Sequence, residues 1–273
     1  MRGRGETEGG AGATLHMTKS YLVIATPRSG STLLGQGLQA SGVAGEPREF
    51  FGHKMAHWME RWHTPDLPAY VAQLQQKRSS RNGVFGAKLL YAQLLHLEQV
   101  ARQEPDLADL ARGDLLRQLF PDIHILWATR DDKLRQAISW FKARQTGVWG
   151  QGRGAEEPKL GRAWRLGDEP LQPGELAFDY AGIAALLGQA EAEDAAIGAW
   201  LAEAGLTPYR VVYETFTPRY SEATAEILDW MGIAHPPLHL PVPRTVRLAD
   251  DRTDEWVARF REEQTAQGTS ESA

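Results

Sequence analysis

Seven consecutive residues near the start of the chain combine side-chain types that bind anions. They read TPRSGST and occupy positions 26–32, between an apolar run at 21–26 and an amphipathic stretch at 32–40. The apolar run predicts a buried strand and the amphipathic stretch predicts a helix. A turn at this junction directs several backbone N–H groups to one point, where the helix N-terminus adds partial positive charge. We call residues 26–32 the anion loop.

The anion loop supplies both backbone and side-chain groups for an anion. Gly30 allows the backbone to approach it closely, and Arg28 adds a fixed charge. The predicted binding residues are Pro27, Arg28, Ser29, Gly30, Ser31 and Thr32. The loop is not the GxxxxGK[ST] pattern of NTPases, because neither its Lys nor its first Gly is in place. A simpler alternative is a tight turn whose Ser and Thr residues only cap the helix.

A second set of anion-binding groups follows the apolar run at 123–128, which predicts another strand. Arg130 lies at the end of this strand, and Ser139 lies nine positions later in a predicted helix over 133–145. A guanidinium fork and a hydroxyl so placed can hold a phosphate together. Alternatively, Arg130 pairs with a neighbouring aspartate at the surface, or Arg135 serves in its place.

Two carboxylates lie three residues apart, shortly after the first predicted helix. Glu46 and Glu49 belong to the segment GEPREFF, and a carboxylate can take the proton of a hydroxyl that lies within hydrogen-bond reach. The alternative without a functional role is that both glutamates face solvent in a loop. Phe51, its neighbour Phe50 and the nearby tryptophans can stack on a sugar, although aromatic residues more often form the core. Lys88, at the end of an apolar piece, is a weaker candidate for stabilising negative charge.

The remaining composition excludes several classes of site. His53 and His57 have the spacing of helical metal ligands, but the Glu of a zinc-protease motif and a third ligand are missing, so no metal site is predicted. The chain has no cysteine, which excludes disulfides and thiolate chemistry. A net charge of −5 without a basic stripe argues against nucleic-acid binding. No apolar run is long enough to span a membrane, and residues 1–18 lack the apolar core of a secretory signal, so we expect a cytoplasmic protein.

The predicted elements that hold these residues are strands that alternate with helices along the chain. The pattern predicts strands at 21–26, 123–128 and 209–213 and a short apolar piece at 84–88. It also predicts helices, which include one or two helices over 175–204 and a helix at 222–231. Loops are expected at 42–63 and 146–173. We therefore predict an α/β protein with a three-layer, P-loop-like fold, whose central, mostly parallel sheet is flanked by helices. Residues 19–264 form one domain, and 1–18 and 265–273 are predicted to be disordered tails.

At several points the sequence resembles the mycobacterial trehalose 2-sulfotransferase family. The resemblance begins with SYLVIATPRSGSTLLGQGLQASGVAGEPREFF at 20–51, where RSGSTLL is followed closely by the GEPREFF segment. It continues in NGVFGAKLLY at 82–91, RDDKLRQAISWFKARQTGVW at 130–149 and DRTDEWVARFR at 251–261. In outline it covers residues 20–262, although the stretch 158–208 contains no motif of the family.

The resemblance implies a bacterial enzyme that moves a sulfuryl group from 3′-phosphoadenosine 5′-phosphosulfate (PAPS) to a sugar hydroxyl and releases adenosine 3′,5′-bisphosphate. The anion loop would hold the 5′-phosphosulfate, while Arg130 and Ser139 would hold the 3′-phosphate. Glu49 would be the general base, Arg28 would stabilise the leaving group, and Glu46, Glu49 and Phe51 would bind the acceptor. No metal is needed. Members of the family can form dimers, but the composition identifies no interface.

Two other classes of protein remain as alternatives at this stage. A P-loop kinase or related phosphotransferase predicts a lysine in the anion loop, and that lysine is absent. A non-catalytic nucleotide-binding module would keep the fold without the reaction.

Overall fold

The architecture comes from a computed structural model, which describes residues 19–151, 158–160, 176–241 and 251–270. The predicted N-terminal tail and most of the predicted loop at 146–173 lie outside these ranges. Along the chain the elements are β1 (Lys19–Ala25), α1 (Ser31–Ala40), α2 (Met55–Trp62), α3 (Leu67–Arg78), β2 (Val84–Leu90), α4 (Tyr91–Ala101), α5 (Arg112–Leu119), β3 (Ile123–Thr129), α6 (Lys133–Thr146), β4 (Val148–Gln151), β5 (Pro158–Leu160), α7 (Tyr180–Glu203), β6 (Tyr209–Val212), α8 (Tyr213–Phe216), α9 (Tyr220–Trp230) and α10 (Asp251–Ser270).

The central sheet has four parallel strands in the order β2-β1-β3-β6. Because parallel strands end at the same edge, the turn after β1, the end of β2 and the turn after β3 lie side by side. The pairing of Val23 with Lys88 and of Ala25 with Leu90 sets the register on one flank of β1. The sheet therefore brings the anion loop, Lys88 and Arg130 to a single edge, and the predicted fold class is confirmed.

The two faces of the sheet are covered by different helices. Along β1, Leu22 and Ile24 enter a cluster formed with α3, α4, α5 and α7, whereas Tyr21, Val23 and Ala25 enter a cluster formed with α1, α8 and α9. This alternation is the two-residue period of a strand that is buried on both sides. A third cluster joins α6, α7 and α10. The loops at the sheet edge consequently stand on a rigid base.

Several elements differ from the prediction. Helix α2 lies inside the expected loop at 42–63, because Met55, Trp58, Met59 and Trp62 are spaced as one helical face and pack against the first cluster. Part of the expected loop at 146–173 forms the antiparallel pair β4-β5. Helix α7 is one helix rather than two, and α5 was not predicted.

The C-terminal boundary is also corrected. Helix α10 continues to Ser270, so residues 265–270 are helical and not part of a disordered tail. An ion pair of Arg259 with Glu263 and a hydrogen bond from Thr265 to the Arg261 carbonyl support the last turns. Within the described ranges, no helix is sufficiently long and apolar to cross a membrane.

Candidate active site

The anion loop makes a sharp turn between β1 and α1. Arg28 and Gly30 both have left-handed backbone conformations, with φ of 63° and 92°. Gly30 is the N-cap of α1, and no side chain caps this helix. Among the described residues, the backbone N–H groups of residues 28–32 have no hydrogen-bond acceptor. The loop therefore presents a cluster of free donors at a helix N-terminus, and the alternative of simple helix capping is wrong.

The hydroxyl groups of the anion loop have separate tasks. Ser29 is buried and donates a hydrogen bond to the carbonyl of Thr26 (2.9 Å), which closes the turn. The hydroxyl of Thr32 accepts a hydrogen bond from the Lys88 ammonium group (3.0 Å). Ser31 is also buried. The sequence assigned all three hydroxyls to the anion, whereas that of Ser29 stabilises the loop itself.

Arg28 connects the anion loop to α6 and β4. Its Nε donates to the hydroxyl of Ser139 (3.0 Å), and its Nη1 donates to the carbonyl of Trp149 (2.7 Å). Burial lowers the pKa of the Arg28 guanidinium, the positive charge of Arg130 lowers it further, and Tyr213 offsets part of this effect. Arginine keeps its charge despite such a shift. Ser139 and Arg130 thus both lie next to the anion loop.

Arg130 is held against α8, which follows the neighbouring strand. Its guanidinium lies over the ring of Tyr213, 4.6 Å from the centroid, and its Nε lies 3.5 Å from a carboxylate oxygen of Glu214. This Nε is buried without a hydrogen-bond acceptor among the described residues. Burial lowers the pKa of Arg130, although Tyr213 and Glu214 oppose the shift. A buried cation with an unused donor is suited to an anionic ligand.

The two alternatives considered for Arg130 can be compared with the observed ion pairs. Asp131 pairs with Arg210, and Asp132 caps α6 and pairs with Arg135, so neither aspartate is the partner of Arg130. Arg135 also pairs with Asp254 on α10. Its guanidinium is therefore already neutralised by two carboxylates.

Glu49 reaches the anion loop through Lys88. Residue 48 forms a parallel bridge to Ala87, and the Lys88 N–H donates to the Arg48 carbonyl (2.9 Å), which extends the sheet beyond β2. The Lys88 ammonium group lies 2.7 Å from one oxygen of Glu49, and Gln93 donates to the other oxygen (2.8 Å). A continuous chain of contacts therefore links the carboxylate to the hydroxyl of Thr32. Lys88 was a weak candidate in the sequence analysis, because the sequence pattern does not specify to which side of the strand its side chain points.

The carboxyl group of Glu49 is ionised and accessible. Burial alone would raise its pKa, but the charge of Lys88, the hydrogen bonds from Lys88 and Gln93, and the charge of His53 outweigh burial and lower the pKa. About 39% of the Glu49 side chain is exposed, against 11% for Lys88. An exposed, ionised carboxylate beside an anion loop can receive a proton from a bound hydroxyl.

Other predicted acceptor residues have structural contacts. Phe51 is wholly buried and packs edge-on against Tyr70 and Phe120, so it belongs to the core and offers no surface to a sugar; this prediction is wrong. Glu46 pairs with Arg78 (3.1 Å) and lies 3.5 Å from Arg48. The two carboxylates therefore have different cationic partners.

Residues that the sequence did not select also contribute to the site. Gln93 orients Glu49 and also accepts a hydrogen bond from the Leu90 N–H, and the ring of Tyr213 packs directly on Gly30. Gln136 is buried beneath the anion loop. None of these residues has a recognisable sequence signal, since amide and phenol groups are common on helices. Among the described residues, no group of three or more metal-ligating side chains occurs.

Comparison with known proteins identifies the family of the chain. Residues 20–263 match the family described as Stf0 sulphotransferase. The chain is 33% identical over 275 residues to a trehalose 2-sulfotransferase of Mycobacterium tuberculosis (strain ATCC 35801 / TMC 107 / Erdman), covering 90% of this chain and 95% of the relative. It is 30% identical to a trehalose 2-sulfotransferase of Mycolicibacterium smegmatis (strain ATCC 700084 / mc(2)155), covering 91% and 97%. The resemblance inferred from the motifs is confirmed: the chain belongs to the Stf0 sulphotransferase family and is a sulfotransferase.

Proposed function

We propose that this sulfotransferase moves a sulfuryl group from PAPS to a hydroxyl of trehalose or of another glucoside. The observation that carries the proposal is the chain of contacts from Thr32 in the anion loop through Lys88 to Glu49. This chain of contacts connects a site for the anionic sulfuryl donor to a carboxylate that can activate a hydroxyl. The names of the two relatives support trehalose as the first acceptor to test.

The two ends of the donor have separate binding groups in this proposal. The free N–H groups of the anion loop and the guanidinium of Arg28 bind the 5′-phosphosulfate. Arg130 and the hydroxyl of Ser139 bind the 3′-phosphate. Ser139 already contacts Arg28 at 3.0 Å, so a ligand in one subsite lies close to the other. The buried, unused Nε of Arg130 supports an anion at this position.

The reaction is a displacement at sulfur. The acceptor oxygen forms a bond to sulfur as the bond from sulfur to the oxygen of the 5′-phosphate breaks, and the proton of the hydroxyl passes to Glu49. The products are the sulfate ester and adenosine 3′,5′-bisphosphate. Negative charge grows on the leaving phosphate, where Arg28, the loop N–H groups and Lys88 stabilise it. The reaction requires no redox step and no metal.

The acceptor lies on the Glu49 side of the loop. Glu49 remains partly exposed there, whereas Glu46 is engaged with Arg78 and Arg48. If Glu46 also contacts the acceptor, its carboxylate must bind the acceptor and these two arginines at the same time. We also propose that the protein works in the cytoplasm. In this proposal the chain from residue 19 to the end of α10 acts as a single catalytic domain. Homodimerisation is a further prediction.

The test is transfer of radioactive sulfate from labelled PAPS to trehalose, glucose, maltose and a β-glucoside, with product masses measured in parallel. Sulfated trehalose and stoichiometric adenosine 3′,5′-bisphosphate are expected. A matched reaction with γ-labelled ATP and Mg²⁺ examines the kinase alternative. Phosphorylated sugar in that reaction, without sulfation from PAPS, would overturn the proposal. Binding of the nucleotide without transfer to any hydroxyl would favour the non-catalytic module.

A further inference from the structure

Gln136 lies beneath the anion loop, on the side that faces α6. Its side chain is completely buried. The amide nitrogen donates one hydrogen bond to the hydroxyl of Thr26 (2.8 Å) and a second to the carbonyl of Pro27 (2.8 Å). Both protons of the amide are therefore used by the two residues that precede Arg28. The Pro27 carbonyl lies in a turn, so no strand or helix supplies a hydrogen-bond donor for it. The side chain of Gln136 supplies this donor instead.

The orientation of the Gln136 amide is fixed by its other neighbours. Lys133 lies 3.4 Å from the amide oxygen and forms a close ion pair with Asp194 on α7. The hydroxyl of Thr26 in turn faces Asp194 at 3.4 Å. Exchanging the amide oxygen and nitrogen would place an oxygen against the Pro27 carbonyl and an NH₂ group against an ammonium group. The surroundings thus select one orientation, in which the donors face the loop.

These hydrogen bonds determine how the peptide between Pro27 and Arg28 is turned. The C=O and N–H of a trans peptide point in opposite directions, and the described residues contain no cis peptide. Holding the Pro27 carbonyl toward α6 therefore directs the Arg28 N–H away from α6. It also supports the left-handed conformation of Arg28, which is unfavourable for a residue with a side chain.

We infer that Gln136 is a positioning residue that holds the anion loop in the conformation that binds the 5′-phosphate end of the donor. This inference rests on the proposed function. Gln136 touches neither substrate in this proposal and acts through Pro27 and Arg28. In this proposal the 3′-phosphate binds to Arg130, which follows β3, and to Ser139, which lies on α6. The peptide between Pro27 and Arg28 places neither of these residues, so loss of Gln136 affects the two ends of the donor differently.

The test compares three probes by isothermal titration calorimetry: adenosine 3′,5′-bisphosphate, adenosine 5′-phosphate and adenosine 3′-phosphate. The variant is Gln136→Met, which keeps the volume of the side chain and removes the amide. Affinity for the two nucleotides that carry a 5′-phosphate is expected to fall about tenfold, the factor that corresponds to one buried hydrogen bond. Affinity for adenosine 3′-phosphate is expected to change by less than about twofold.

Gln75→Met is the matched control. Gln75 is also buried and donates to a backbone carbonyl, that of Leu119 (3.1 Å), away from the anion loop. We expect this variant to melt at a lower temperature and to bind all three probes like the wild type. Gln136→Asn, whose amide is one methylene too short to reach Pro27, serves as a second variant and is expected to show the same selective loss if Gln136→Met does not fold.

The outcomes separate this inference from the proposed function. Equal affinity of wild type and variants for the 5′-phosphate probes would overturn the positioning role alone. An equal loss for adenosine 3′-phosphate, together with a lower melting temperature, would show a purely structural role and overturn it as well. Failure of the wild type to bind any of the three probes would overturn both proposals.

Discussion

Arg28 and Arg130 illustrate at the scale of single residues how the site is prepared for an anion. Both guanidinium groups are withdrawn from water, the charge of Arg130 lowers the pKa of Arg28, and the charge of Arg135 lowers that of Arg130. Such a pair costs stability in the free protein, and a ligand with several negative charges recovers that cost on binding. The carboxylates near Arg130 only partly offset this repulsion. In the proposed function, these two cations therefore favour a ligand that carries several negative charges.

The first prediction separates donor binding from proton transfer. Arg28→Ala removes the charge and the contacts to Ser139 and Trp149, so binding of adenosine 3′,5′-bisphosphate and turnover are both expected to be lost. Glu49→Gln keeps the shape of the side chain but cannot accept a proton, so kcat is expected to fall about 10²- to 10⁴-fold with the nucleotide still bound. Calorimetry and single-turnover assays distinguish the two. A wild-type kcat for Glu49→Gln would exclude it as the base.

The second prediction concerns pH. In the proposed mechanism Glu49 accepts a proton only when it is ionised, and its environment lowers its pKa below the usual 4.5. Activity of the wild type is therefore retained as the pH falls through 4.5 and declines only as the pH falls through the lower pKa of Glu49. Lys88→Met removes the main lowering influence, so the acidic limb of kcat/KM is expected to move to higher pH. The value of kcat should also fall, because Lys88 no longer stabilises the leaving group.

A matched control for the pH experiment is His53→Asn. His53 also lowers the pKa of Glu49, but it is exposed and its effect is smaller than those of Lys88 and Gln93. The acidic limb should therefore move in the same direction by a smaller amount. Loss of activity in His53→Asn comparable to that in Glu49→Gln would instead identify His53 as the base.

At the scale of elements, the turn between β1 and α1 depends on a glycine for two reasons. Gly30 has φ of 92°, and a Cβ atom added there would lie 2.5 Å from the ring of Tyr213. Gly42 has φ of 77°, but a Cβ atom there would meet nothing within 4 Å. Both positions require a positive φ, and only at Gly30 would an added Cβ atom meet the ring of Tyr213. They therefore form a matched pair.

The third prediction uses this pair. Gly42→Ala is expected to lower the free energy of unfolding by about 1 kcal/mol, from backbone strain alone, and to leave donor binding unchanged. Gly30→Ala is expected to cost about 1–3 kcal/mol more, because Tyr213 must move, and to weaken binding of adenosine 3′,5′-bisphosphate by at least about tenfold. Urea denaturation and calorimetry measure the two quantities. Equal effects of the two substitutions would contradict the role of the Tyr213 contact.

The same elements explain how far sequence reasoning reaches. The anion loop and the unit around Arg130 and Ser139 were predicted because strand, turn and helix are adjacent in the chain and have local signals. The contact between Glu49 and Lys88 joins positions far apart in the chain and depends on the register of residue 48 against β2. No local pattern specifies that register. Similarly, Phe51 has the composition of either a core or a binding residue, and only its burial decides between them.

For the whole molecule, the donor site is supported by more than one core. The anion loop stands on the sheet and on the cluster around α1 and α9, whereas Gln136 and Ser139 stand on α6, which packs in the separate cluster with α7 and α10. The correct geometry of the site therefore requires that the two clusters remain docked. Helix α10 comes from the far end of the chain and contributes Trp256, Val257 and Phe260 to this support.

The fourth prediction follows from that support. Phe260 is buried and stacks on Tyr180, with ring centroids 4.6 Å apart, so Phe260→Ala is expected to lower the free energy of unfolding by about 3–5 kcal/mol. Leu116→Ala, in the cluster around α5, should cost about 2–5 kcal/mol. At a temperature where both variants are folded, only Phe260→Ala should weaken binding of adenosine 3′,5′-bisphosphate, because α6 loses the surface that holds it against the anion loop. If both variants bound the nucleotide like the wild type, the third cluster would stabilise the chain without shaping its donor site.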